Sequence, residues 1–338
     1  MDDSGTPLSL TEARAAQETV ERALFEIRRV IAGQDRMLER VLVCLLSGGH
    51  LLIEGVPGLA KTLTIKTAAA ALGGTFNRVQ FTPDLVPSDL VGTRVFRPDT
   101  ATFSTEQGPV FCNFLLADEI NRAPAKVQSA LLEVMQEHQV TIGHDTLPVP
   151  EPFLVMATQN PIESEGTYPL PEAQVDRFML KVVVGYLHPE DELTVVERAL
   201  DRRVEVRQVV TLEQLAALRA LVERVYVDPA VSRYAVAMAG ATRSPDAAGI
   251  EEIGRHVEFG ASPRGSIALV VAARALALIR GRDYVLPQDL ADLAHDVLRH
   301  RLVLSYEAIA TDVAADALID AALAAVPAPP LEVVERAA

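Results

Sequence analysis

The chain has 338 residues, 49% of them hydrophobic and 23% charged, a folded-globular balance with room for two or three lobes and one sizeable core. Its formal charge of −15 argues against a largely electrostatic partnership with nucleic acid or an anionic membrane. The N-terminal MDDSGTPLSL is acidic with no apolar signal core, and no stretch reaches the ~18 apolar residues of a membrane span. The two cysteines, in VLVCLL (Cys44) and VFCNFLL (Cys112), are expected as buried thiols in a reducing, cytoplasmic setting.

Ser9 followed by Glu12 is a capping-box pair, which predicts a helix to about Val30, broken by IAGQD. A second helix follows over about 35–47 and stops at Gly48-Gly49. His50–Glu54 reads as a short buried strand, and Ala60–Leu72 as a helix closed by Gly73-Gly74. Further strands are expected at Phe76–Phe81, Phe111–Ala117, Phe153–Ala157 and Met179–Val184, with a helix at Ala125–His138 between the middle two. Strands alternating with helices predict a parallel sheet covered on both faces. Beyond about residue 190 the pattern turns helical, at Leu193–Leu200, Leu212–Val225, Ala230–Ala241, Ser266–Arg280 and Leu286–His300. The fold class is therefore α/β: an αβα domain over 1–187, then an all-α domain over 188–338. Two insertions interrupt the first, each expected as a small hairpin: residues 82–108, where VGTRVF and ATFST flank PDT, and residues 139–152, turning near Gly143–Asp145. His295 and His300 lie about 140° apart on one helix, and the seven histidines form no ligand cluster.

Gly55-Val56-Pro57-Gly58-Leu59-Ala60-Lys61-Thr62 lies between a strand and a helix, the context a phosphate-binding loop requires. Glycines let backbone N–H groups converge on phosphate oxygens, and the helix N-terminus adds favourable potential. Lys61 would reach the β/γ phosphates and the Thr62 hydroxyl would ligate Mg²⁺. Ala60 stands where the general pattern has glycine, which is tolerable if the residue already has helical dihedrals. About 55 residues on, Phe114-Leu-Leu-Ala-Asp118-Glu119 ends an apolar strand in two acids: Asp118 for Mg²⁺, Glu119 to orient and deprotonate a water. Asn160, in Thr158-Gln159-Asn160-Pro161, would position that water or touch the γ-phosphate. Arg177, before the last strand, would project onto a neighbouring subunit's nucleotide. Ser262-Pro263-Arg264 opens a helix, with serine as N-cap, proline at N1 and Arg264 in the first turn.

With these residues in this order the chain resembles the AAA+ ATPases, and among them the MoxR family. GVPGLAKT, LLADEINRAP, ATQNPIESEGTYPLPEAQVDRF and GASPRG look like that family's Walker A, Walker B, sensor 1 with arginine-finger region, and sensor 2, over about residues 10–325. The family usually carries alanine where Ala60 stands. The resemblance implies an ATP- and Mg²⁺-dependent ATPase with a helical lid, and adds Gln34 to the nucleotide contacts. It identifies the insertions with the helix-2 insert and pre-sensor-1 hairpin of the clade that includes the magnesium-chelatase ATPase subunit and replicative helicases. There the lid can be displaced, so Arg264 acts on its own nucleotide or on a neighbour's. A ring, with six subunits the expected count, is implied. So is chaperone-like remodelling of a partner, typically one with a von Willebrand A domain, or assistance in metal or cofactor insertion.

The residues themselves leave three classes open. Nearly all of the chain is absorbed by the ATPase module, so work would be done on something bound from outside. A DNA-dependent motor would need basic hairpins, and QVTIGHDTLPVPEP has no Lys or Arg. A nucleotide-binding regulator without turnover would have no use for Glu119. The hairpin tip Gly-His-Asp-Thr is polar and lacks the aromatic of a polypeptide-threading pore.

Overall fold

The computed structural model describes residues 6–56, 58–160, 167–200 and 204–330. The chain divides into two compact units. One is Glu18–Ala220; the other runs on from Leu221 and includes the N-terminal stretch ending at Gln17.

The first unit is built on five strands: β1 (Leu51–Gly55), β2 (Phe76–Gln80), β3 (Phe114–Asp118), β4 (Leu154–Gln159) and β5 (Leu180–Val184). They form one parallel sheet in the order β2-β3-β4-β1-β5, with Leu51 opposite both Met156 and Leu180 and Phe114 opposite both Phe76 and Leu154. The three inner strands are continuous apolar runs because both faces are covered. Leu51–Ile53, Phe114–Ala117 and Leu154–Ala157 are all fully buried, each large side chain contributing about 1.5–3 kcal/mol by leaving water. The edge strand β2 instead alternates, exposing Arg78 and Gln80 on either side of buried Val79. All five strands run the same way, so their C-terminal ends share one edge of the sheet, where ligands of open α/β sheets bind.

Helices Lys61–Ala71 and Ala125–Glu137 follow β1 and β3. The second buries Val127, Leu131, Val134 and Met135 at helical spacing. Just before β1, the His50 imidazole is fixed as one tautomer. Its Nδ1 accepts from the Val155 N–H at 3.1 Å, so its Nε2 carries the proton and donates to the Met135 carbonyl at 3.0 Å. Cys44 and Cys112 are buried thiols, and burial pushes the Cys112 thiol up to about 11.

Both expected hairpins form. The first pairs Gly92–Arg97 with Thr102–Gln107, and the second pairs Gln139–Ile142 with Asp145–Pro148. The Thr105 hydroxyl donates to Asp145 at 3.1 Å, joining the two. A short helix, Pro87–Val91, precedes the first hairpin and was not expected; Pro at N1 and the Asp89 carboxylate accepting the Val86 N–H at 2.9 Å start it.

In the second unit, the main helices are Pro229–Arg243, Pro263–Ile279, Pro287–Leu298 and Ala315–Ala325. Asp228 and Ser262 cap the first two through N–H bonds from Ala230 and Arg264. The helical pattern had left no strand here, yet Val257–Phe259 pairs antiparallel with Val303–Leu304; runs this short carry no readable alternation. The capping box is present, with Ser9 N–H donating to Glu12 at 2.9 Å and Glu12 N–H to Ser9 Oγ at 3.3 Å. Arg224 also bonds Glu12, at 3.0 Å, and the carbonyl of Thr6 at 2.9 Å. Among the described residues, no helix is long and apolar enough to cross a membrane.

Candidate functional site

At the C-terminal edge of the sheet lies a cavity of ≈ 430 Å³, lined by Gly58–Leu63, Arg78, Gln80, Asp118, Glu119, Thr158 and Asn160. Its size suits a small organic ligand. The loop leaves β1 at Gly55 and enters the helix at Lys61, so the helix N-terminus faces the cavity with its unpaired N–H groups. Gly58 has φ +90 with open space where a Cβ would be, so glycine is required there by backbone conformation and not by crowding.

Ala60 corrects the sequence expectation. It does not have helical dihedrals: φ is 55° and ψ 18°, in the left-handed region. A side chain there costs roughly 1–2 kcal/mol relative to glycine. Its carbonyl still opens the helix, accepting from the Thr64 N–H at 2.8 Å and from the Thr64 hydroxyl at 3.0 Å. The Lys61 ammonium donates to the Gly55 carbonyl at 2.6 Å, folding the loop onto itself. Burial lowers the Lys61 pKa, with Asp118 and Glu119 opposing that shift.

The β3–β4 pairing, with Ala117 opposite Ala157, brings the acidic strand end beside Thr158. The Thr158 hydroxyl donates to Asp118 Oδ1 at 2.6 Å and accepts the Glu119 N–H at 2.9 Å. Asp118 Oδ2 accepts twice from Arg78, at 2.7 and 3.1 Å, and Arg78 also reaches Gln80 at 2.9 Å. Glu119 is left-handed too, with φ 56°, and its carboxylate lies 3.2 Å from Arg122. Asn160 is buried in the lining. The cavity thus combines a helix N-terminus and two cations with two carboxylates, an arrangement that can hold a polyanion and still present a base.

Of the sequence candidates, Gly58, Leu59, Ala60, Lys61, Thr62, Asp118, Glu119 and Asn160 come together around this cavity. Gly55 and Val56 lead into the loop without lining it. Gln34 is nearly buried just ahead of helix Asp35–Ser47; its carbonyl accepts from Leu38 at 2.9 Å and it does not line the cavity. Arg177 donates to Gln136 on helix Ala125–Glu137, away from the lining. Arg264 is exposed in the first turn of Pro263–Ile279, in the other compact unit. Pro57, and residues 161–166 of the long ATQNPIESEGTYPL run, lie outside the described residues. Sequence reading missed Arg78 and Thr158. A trace of the first was present, since two polar side chains two apart in a strand face the same side. Thr158 gave none beyond adjoining Gln159-Asn160.

Comparison with known proteins agrees with this geometry. Residues 50–180 match the model of the "ATPase family associated with various cellular activities (AAA)", and residues 252–322 match that of the AAA lid domain. The chain is 54% identical to Chaperone MoxR1 of Mycobacterium tuberculosis over 96% of its own length and 86% of that protein. It is 32% identical to Protein MoxR of Methylorubrum extorquens over 95% and 97%. A solved structure from Cytophaga hutchinsonii superposes with a TM-score of 0.89 at 45% identity, covering 94% of this chain and 97% of that one. A glycine-turned loop opening a helix, two consecutive acids at the end of one parallel strand and these relatives converge: the chain belongs to the MoxR family of AAA ATPases.

Proposed function

We propose that this ATPase hydrolyses ATP with Mg²⁺ to remodel or activate a partner protein as a chaperone. The single observation that carries the hydrolytic reading is the convergence of Lys61, Thr62, Asp118, Glu119 and Asn160 on one cavity. Backbone N–H groups of the Gly55–Ala60 loop would cradle the phosphates, Lys61 would pair the β/γ oxygens, and Gln34 would contact the nucleotide. The Thr62 hydroxyl and the Asp118 carboxylate suit Mg²⁺, a hard cation that takes one or two protein oxygens beside substrate phosphates and water. When bound, the ion offsets phosphate charge. Glu119 accepts the proton of the attacking water, which Asn160 orients.

Arg177, turned away from its own chain's cavity, would serve the nucleotide of a neighbour in a homo-oligomeric ring of six, and Arg264 its own nucleotide or a neighbour's. On this reading the functional division lies at 187/188, just after β5, between a nucleotide-binding domain and a lid, and residues 92–104 and 139–150 of the two hairpins contact the partner or line the ring's central opening. That the similar MoxR1 is named a chaperone supports the remodelling role. The partner class we infer carries a von Willebrand A domain or awaits metal or cofactor insertion, in the cytoplasm. The absence of Lys and Arg in residues 139–152 speaks against a DNA-dependent motor, and Glu119 against a regulator without turnover.

Glu119→Gln tests the core of this reading. The amide cannot take the proton, while Asp118 is untouched, so ATP should bind as before and turnover should fall at least ~10²-fold. Turnover within about threefold of wild type would remove Glu119 from the role of base.

A further inference from the structure

Gln128 lies in the first turns of helix Ala125–Glu137 and is fully buried. Its Nε2 lies 3.2 Å from the Ile120 carbonyl, 3.1 Å from that of Ala123 and 3.0 Å from that of Tyr168. Carbonyls only accept, so three of them around one end of the amide fix its orientation: the nitrogen faces them. Two N–H groups serve three acceptors, so one is shared. The Oε1 meets no donor among the described residues. Packing alone does not call for this residue; its helical neighbours Val127, Leu131 and Leu132 fill the core without polar atoms.

The three carbonyls belong to two segments that meet at the acidic strand end. Ile120 and Ala123 bracket the single turn Ile120–Arg122 that follows Glu119 directly. Tyr168 is tied to the same turn, its N–H donating to the Asn121 carbonyl at 2.6 Å. Glu119 sits in a left-handed conformation that non-glycine residues disfavour. On one side it is held by the Thr158 hydroxyl at its N–H, and on the other by Arg122 N–H at its carbonyl, 2.8 Å away. The second hold is only as firm as the turn, and Gln128 clamps the turn from behind.

We propose that Gln128 is a positioning residue for ATP hydrolysis: by holding the Ile120–Arg122 turn and Tyr168 together, it aims the Glu119 carboxylate at the attacking water. The proposal rests on Glu119 being the base. Losing the clamp leaves the phosphate loop intact, so turnover is affected and ATP binding is not.

The test substitutes Gln128→Glu and measures ATP affinity and turnover from pH 6 to 8.5. The protonated acid retains one O–H to donate, whereas the carboxylate points charge at three carbonyl oxygens. Burial raises the pKa of such a group into this range. Turnover should therefore decline at least about tenfold toward alkaline pH relative to wild type, with the ATP dissociation constant within about threefold throughout. Gln128→Met, which removes the donor without adding charge, covers the case in which Gln128→Glu does not fold. It should lower turnover about tenfold at every pH, again with affinity kept. In a Glu119→Gln background either change should alter the residual rate less than about twofold, because residues acting through one group are not additive. Turnover within about twofold of wild type in the folded variants, or an equal loss in the Glu119→Gln background, overturns the positioning role. If Glu119→Gln alone keeps its turnover, it is the base assignment that falls; if that variant is inactive and the Gln128 variants are not, only the clamp falls.

Discussion

The end of β3 and the first hairpin are both polar β-segments of the same compact unit, and they are built in opposite ways. Before Asp118 come four side chains with no exposed surface, and Thr158 and Arg78 then hold its two oxygens. In the hairpin Gly92–Arg97/Thr102–Gln107, by contrast, the Phe96 and Phe103 rings meet at a tilt with centroids 5.2 Å apart while remaining 50% and 60% exposed. Arg94 lies over the Phe103 ring at 5.1 Å. Where the backbone is locked by burial, polar side chains from separate strands are held within hydrogen-bonding reach of one another. Where it is not, the chain instead offers surface. The proposed function assigns chemistry to the first region and contact to the second, and substitutions should then divide accordingly.

The largest effect is expected at Arg177. If its guanidinium completes a neighbour's site, Arg177→Ala should bind ATP yet lose on the order of 10³ or more in rate. Mixing it with Lys61→Ala subunits should restore part of the rate, since each supplies what the other lacks. A co-assembled mixture as inactive as either parent would break the trans-acting role of Arg177. Next comes Thr158→Val, which keeps shape and removes the hydroxyl shared by Asp118 and Glu119. Turnover should fall roughly 10–100-fold, with a loss of about 1–3 kcal/mol in a denaturant titration from the unpaired neighbours. Unchanged kinetics would mean that burial alone locates the acids.

His50 sharpens the comparison through pH. Desolvation is the main cause that holds its pKa at about 4, with the Met135 carbonyl opposing. The folded value lies below the ordinary 6.5, so His50 lends stability above that pH and loses it as pH falls from about 6.5 toward 4. The slope should approach 1.4 kcal/mol per pH unit. Thermal melts of His50→Gln should lack that slope; an identical slope would shift the effect to other groups. The smallest effect is assigned to the hairpin. Phe96→Ser with Phe103→Ser should leave basal turnover within about twofold and melting nearly unchanged, because surface positions contribute little to stability. Deleting residues 143–146 should likewise spare basal turnover and abolish stimulation by a partner. Basal turnover lost in either variant would show that the hairpins belong to the catalytic region after all.

The sheet was legible because its inner strands are apolar runs with no polar interruption, and their bounds moved by at most three residues between reading and structure. The acids of LLADE were legible for the same reason: charges that end such a run have nowhere to go but the strand's C-terminal edge. Side chains that act across the fold were hidden. Arg78 reaches Asp118, forty residues away, and Gln128 reaches Tyr168, also forty away; neither stands in a pattern of its own. Arg224 on Glu12 is the same case, a capping glutamate with a second partner more than two hundred residues on. Ala60 was misjudged for a different reason. The sequence places it next to a helix, but its dihedral angles depend on how the loop before it turns.

Strand order also matters while the chain is being made. Neither sheet neighbour of β1 lies near it in sequence: Leu51 waits for Met156 and Leu180, roughly a hundred residues later. At ribosomal rates of about 5–20 residues per second, that is on the order of 5–20 seconds. Throughout it the apolar Leu51-Leu52-Ile53 has no native partner in the sheet. Strands β2 and β3 can pair earlier, so the nascent chain holds two of the five strands with one hydrogen-bonding edge of β3 open. Strand β1, an inner strand of the finished sheet with Leu51–Ile53 fully buried, is thus the strand with the longest unprotected period at birth, and nascent-chain aggregation should depend on it more than on any surface of the finished protein.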